Sequence, residues 1–168
     1  IEHQDIRVLC DPWLIDGAFD SWFHYPPLKF TPEDFSDVDY IYISHIHPDH
    51  MDVRTLSKLP KTIKIIILDY QEKYLLKTLK SVGFNTIIEV PHKSKISLSS
   101  ELSLELLAAD NCDPELCGKT FGCRVPQIYT NTLQIDSMAV FQTKDKTIVN
   151  TNDCPYELGF SVCHYIKE

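Results

Sequence analysis

Three histidines and an aspartate fall within six residues in the run Ser44-His45-Ile46-His47-Pro48-Asp49-His50. Neutral imidazoles and a carboxylate are the donors that Zn²⁺ and related divalent transition metals prefer. In an extended segment alternate side chains point the same way, so His45 and His47 can reach one ion. As the chain turns toward a following helix, Asp49 and His50 can reach a second ion close by. Two ions at that separation can share a water, lower its pKa and direct it at an ester, amide or phosphoester. Chance clustering is the competing explanation, since the chain carries seven histidines in 168 residues. The tight spacing, the added carboxylate and the position at the end of an apolar strand favour ligation.

The flanking segments are those that would present such a loop. Tyr40-Ile41-Tyr42-Ile43 reads as a buried strand leading into it, and Asp52 can cap a helix over Val53 to Lys58 that Pro60 ends. Upstream, Ile6 to Leu9 is a short apolar strand closed by Asp11-Pro12, and proline disfavours helix at the residue before it. Gly17 to Pro32 is an irregular loop rich in aromatics and proline. Lys64 to Leu68 reads as a strand and Gln71 to Val82 as a helix, with Leu75, Leu79 and Val82 on one face and Gly83 suited to its end. Strands follow near Thr86–Val90, Lys95–Leu98 and Leu102–Ala108, the last alternating leucine with polar residues. Asn111 to Pro126 is a long loop. Thr132–Ile135, Met138–Thr143 and Thr147–Val149 read as strands, with Asp145-Lys146 turning a hairpin between the last two. Early βα alternation followed by a run of strands predicts an α/β or mixed α+β fold. The absence of repeats, linkers and low-complexity tracts predicts a single domain over 1–168.

The run Ser44-His45-x-His47-x-Asp49-His50 resembles the Thr/Ser-His-x-His-x-Asp-His motif of the metallo-β-lactamase superfamily. Leu9-Cys10-Asp11-Pro12 resembles the strand and acidic turn that precede that motif, and Ile148-Val149-Asn150-Thr151-Asn152-Asp153 resembles the strand whose terminal aspartate bridges the two metals. The resemblance implies an αββα sandwich, here a truncated portion of it. It also implies metal ligation by His45, His47, Asp49, His50 and Asp153, with Asp49 and Asp153 in catalytic roles. Where the superfamily places a further histidine after its middle strands, this chain reads Ala109-Asp110-Asn111-Cys112. Asp110 is the best substitute ligand, with Asn111 and Cys112 as alternatives, and the missing histidine would weaken the first metal site or favour a harder ion such as iron or manganese. His164 follows Asp153 too closely to serve as the superfamily's last histidine, so that ligand is expected beyond Glu168, as in a fragment of a longer protein. Asp11-Pro12-Trp13-Leu14 and Asn150-Thr151-Asn152-Asp153-Cys154 resemble the metallo-β-lactamase-like part of CMP-N-acetylneuraminate hydroxylases. The Cys-x-His and Cys-x-x-His pairs of a Rieske cluster are absent from this chain. The analogy points to a sugar or sugar-nucleotide substrate.

Composition narrows the rest. The net charge of −8 disfavours binding to a phosphate backbone. Lys73, Lys77 and Lys80 read as the solvated face of a helix. No apolar run approaches membrane-spanning length, the longest being Ile65-Ile66-Ile67-Leu68. Six scattered cysteines without a secretory signal predict a cytoplasmic protein with reduced thiols. Cys112, Cys117 and Cys123 lack the paired spacing of a structural zinc site, and Cys154 is a ligand, a reactive thiol or a buried residue. His24 and His92 read as ordinary loop histidines. The expected partner is a small-molecule substrate, and the expected cofactor is one or two divalent ions. Three functions fit: a metal-dependent hydrolase, an accessory domain of a Rieske-type sugar-nucleotide hydroxylase, or a non-catalytic, metal-poor interaction domain.

Overall fold

The computed structural model describes residues 1–70, 73–108 and 136–154. Nine strands in two sheets are found among them. The first sheet has the order β1 (Glu2–His3), β2 (Ile6–Cys10), β3 (Tyr40–Tyr42), β4 (Lys64–Leu68) and β5 (Ile87–Val90). β1 runs antiparallel to β2, and the other neighbours are parallel. The second sheet is antiparallel throughout, in the order β6 (Ser94–Ser97), β7 (Ser103–Ala108), β8 (Ser137–Gln142) and β9 (Thr147–Asn150). Parallel strands covered on both faces read as continuous apolar runs. β4 is the clearest case, with every residue from Ile65 to Leu68 buried.

Each face of the first sheet has its own core. Val8, Tyr40, Tyr42, Ile66 and Val90 face Leu104, Leu106, Ala139 and Phe141 of the second sheet. On the opposite face Ile41, Ile43, Ile65 and Ile67 pack against Leu56, Leu59, Leu75 and Leu79 of the helical layer. That layer consists of α1 (Val53–Lys58) and α2 (Tyr74–Val82). The architecture is thus α/β, with helices on one face of two packed sheets. The outer face of the second sheet buries Leu107, Met138, Val140 and Cys154. No helix among the described residues covers that face, and none is long and apolar enough to cross a membrane.

Local signals set the element ends. The Asp52 carboxylate accepts from the backbone N–H groups of Arg54 and Thr55, which starts α1. Gly83 ends α2 with φ 108°, a left-handed conformation that glycine adopts without the penalty of a Cβ. α2 begins at Tyr74, and Lys73 immediately before it is paired with Asp69 and Glu89. Lys77 and Lys80 are exposed, as a solvated face requires. β7 differs from the half-solvated strand that its alternation suggested. From Leu104 to Ala108 every residue is buried, Glu105 included, because β7 is an inner strand with an apolar cluster on each face. β1 and a 3-10 turn over Pro32–Phe35 are additions to the expected elements.

Candidate metal centre

The parallel strands bring the site together at their C-terminal ends, where α/β sheets usually place ligands. β2 delivers Asp11, and the loop after β3 carries Ser44 to His50. From the second sheet, Asp136 lies just before β8 and Asp153 just after β9. Ser44 and His45 are fully buried. The loop closes on itself when the His50 and Met51 N–H groups donate to the His47 carbonyl, at 3.0 and 2.7 Å.

Asp11 anchors this loop. Its Oδ1 accepts the Ser44 N–H at 2.7 Å, and its Oδ2 accepts the Ser44 hydroxyl at 2.7 Å and faces His50 Nδ1 at 3.1 Å. To do so Asp11 adopts φ 44°, a left-handed conformation rather than the extended one expected before Pro12. The hydrogen bonds to its carboxylate offset that backbone cost. The Ser44 carbonyl is fixed from the other side by the Ser137 hydroxyl at 2.9 Å and by the Tyr70 hydroxyl. Asn152 also has positive φ (50°) and donates to the Ser137 carbonyl at 2.8 Å, setting the turn that carries Asp153.

Two donor groups result. His45, His47 and Asp153 form one, and Asp49, His50 and Asp153 form the other, the ligand atoms in each lying within 4.8 Å of one another. His45 Nε2 is 2.9 Å from His47 Nδ1 and 3.7 Å from Asp153 Oδ2. His50 Nε2 is 3.2 Å from the same Asp153 oxygen and 3.5 Å from Asp49 Oδ2. Asp153 therefore stands between the groups, where a carboxylate bridging two cations would stand. Burial, reinforced by the charges of His50 and His47, pushes the His45 pKa down to about 3, which keeps the ring neutral as ligation requires. Burial also opposes charge on His50, but the hydrogen bond and charge of Asp11, with Asp153 and Asp49, outweigh it and raise the pKa. Imidazole nitrogens and carboxylate oxygens in these groups suit a divalent transition metal.

Asp136 is a residue the sequence reading did not single out. It is buried, which pushes its carboxyl above the usual range, and its Oδ1 lies 3.5 Å from His45 Nδ1. Asp110, with Asn111, Cys112, Cys117, Cys123 and His164, lies outside the described residues, as does the expected strand Thr132–Ile135. His24 and His92 belong to neither donor group. His24 stacks on Trp13 and pairs with Asp16 at 2.6 Å, while His92 Nδ1 accepts the Ala108 N–H at 2.8 Å. Cys154 packs in the apolar cluster behind β8.

No protein-family profile matches the chain. Over 157 residues it is 30% identical to cytidine monophosphate-N-acetylneuraminic acid hydroxylase of Mus musculus, covering 89% of this chain and 24% of that protein. Over 101 residues it is 35% identical to a protein of Mycolicibacterium smegmatis assigned as a Rieske 2Fe-2S iron–sulfur protein, covering 59% and 20%. The chain spans about a fifth to a quarter of the length of these relatives. Among solved structures, the isothiocyanate hydrolase from Delia radicum gut bacteria superposes with a TM-score of 0.63 at 23% identity. A possible metal-dependent hydrolase from Veillonella parvula gives 0.62 at 18%. Each alignment covers 89% of this chain and 56% of the other. The chain has the metallo-β-lactamase-like fold of metal-dependent hydrolases and is homologous to one stretch of CMP-N-acetylneuraminic acid hydroxylase and of the Rieske protein.

Proposed function

We propose that this chain binds one or two divalent transition-metal ions and acts as a metal-dependent hydrolase on an ester, amide or phosphoester. The observation that carries the reading is the pair of His/Asp donor groups sharing Asp153. His45, His47 and Asp153 would hold one ion, with Asp110 as the further ligand expected from the sequence. Asp49, His50 and Asp153 would hold the other. A bound ion supplies a water acidified toward neutrality and polarises the substrate oxygen. Asp153, which is half exposed, would orient that water, and Asp49 would be placed to accept its proton.

The aromatic loop upstream of the histidine run supports a sugar or sugar-nucleotide substrate. Phe19, Trp22, Phe23, Tyr25 and Phe30 are exposed. The loop is tied to the start of α1 by hydrogen bonds from Arg54 to the Ile15 and Asp16 carbonyls, at 3.1 and 2.9 Å. Exposed aromatic rings suit a sugar or sugar nucleotide, which offers faces to stack on and hydroxyls to bond. Elemental analysis of chelator-free protein tests the site. Near-stoichiometric zinc, iron or manganese that disappears in His47→Ala supports it, and absence of metal after reconstitution refutes it.

The sequence relationship to a sugar-nucleotide hydroxylase and a Rieske protein favours a second reading, in which this chain is the metal-binding part of a larger oxygenase. Stoichiometric metal with no turnover across an ester, amide and phosphodiester panel would favour it over the hydrolase.

A further inference from the structure

His45 has two ring nitrogens with different tasks. Its Nε2 faces His47 and Asp153, so a cation would bind there, and the proton of the neutral ring must then sit on Nδ1. Two acceptors lie behind Nδ1. The first is Ser44 Oγ at 2.9 Å, whose own hydrogen goes to Asp11. The second is Asp136 Oδ1 at 3.5 Å, a buried oxygen with no hydrogen-bond partner among the described residues. A buried carboxylate oxygen left without a donor is costly. Asp136 is in neither donor group. It is also held in place, because the next residue, Ser137, donates to the Ser44 carbonyl and accepts from Asn152.

We propose that Asp136 is a positioning residue for His45, standing behind Nδ1 so that the proton stays there and the Nε2 lone pair stays aimed at the cation. A carboxylate behind a ligand histidine fixes its tautomer and ring orientation and makes the ligating nitrogen more basic. The tautomer can be tested without metal, whereas the effect on affinity builds on the metal-centre reading above.

The experiment compares the wild-type chain with Asp136→Ala, Asp136→Asn and Ser44→Ala. Long-range ¹H–¹⁵N spectra of metal-free protein read the His45 tautomer, and zinc titration against a chromophoric chelator reads affinity. Wild type should carry the His45 proton on Nδ1. Asp136→Ala should release it in part and weaken zinc binding about 10- to 100-fold. Asp136→Asn keeps the shape and one acceptor, and should show a smaller loss in the same direction even if the alanine variant does not fold. A wild-type proton on Nε2 would overturn the proposal. So would Asp136 variants with an unchanged tautomer and zinc affinity within twofold, or a tautomer that moves in Ser44→Ala alone. A tautomer that shifts in the Asp136 variants of a protein that binds no zinc would refute the metal centre and leave Asp136 only as the group that fixes the His45 tautomer.

Discussion

Replacing Asp11 with asparagine separates holding the loop from preparing the ligands. A carboxylate only accepts hydrogen bonds, so a His50 ring that ligates through Nε2 must carry its proton on Nδ1. Its Nε2 lone pair then faces Asp49 and Asp153. An asparagine has one accepting and one donating end. The Ser44 backbone N–H can only donate, so it claims the amide oxygen, and the amide NH₂ turns toward the Ser44 hydroxyl and His50 Nδ1. His50 then accepts at Nδ1 and carries its proton on Nε2, against the incoming cation. Restoring the ligating tautomer would cost the hydrogen bond that Nδ1 now makes to a charged group, about 1.5–3 kcal/mol. At 1.36 kcal/mol per decade this is a roughly 10- to 150-fold loss of affinity at the Asp49/His50 group. Zinc titration of folded Asp11→Asn should show that loss in one of two binding steps, with the His45/His47 step changed less than tenfold. Two steps both within threefold of wild type would refute the reasoning.

Two other perturbations follow from the same framework. Asp52→Ala removes the acceptor of the Arg54 and Thr55 N–H groups and of the Thr55 hydroxyl (2.7 Å); thermal unfolding should show a loss of about 2 kcal/mol, and no change would mean that the cap does not stabilise α1. Burial and the neighbouring Asp11 charge push the Cys10 thiol up to about 11. Its thiolate fraction at pH 8 should therefore be roughly 100-fold below that of an ordinary cysteine, and alkylation mapped to Cys10 should rise about tenfold per pH unit up to that value. Alkylation at the rate of free cysteine would contradict the burial.

Features that depend on local chemistry were legible in the chain itself. The capping aspartate defined α1, the run Ile65–Leu68 announced a strand, and Gly83 marked the end of α2. The histidine loop was legible because its donors are neighbours in sequence. Features that depend on distant partners were not. β1 has only two residues, too few for a period, and exists by pairing with β2. Glu105 looked solvent-facing because alternation cannot reveal that both sides of its strand are covered. The left-handed Asp11 runs against the preference set by Pro12, since hydrogen bonds to a loop some thirty residues away decide its conformation. Asp136 has no sequence context of its own and gains meaning only from the ring that β8 brings it beside.

The shared carboxylate sets a timetable for the newborn chain. Asp153 follows the last strand of the second sheet and comes more than a hundred residues after His45. At ribosomal speeds of about 5–20 residues per second, the histidine loop emerges roughly 5–20 s before the group that completes either donor set. During that interval the loop offers a cation only a partial grip. Once the sheets have docked, a cation held by both would become a clasp whose strength follows the free metal concentration. Durability of the docked pair would then report metal supply, and a starved cell would hold a looser molecule than a replete one.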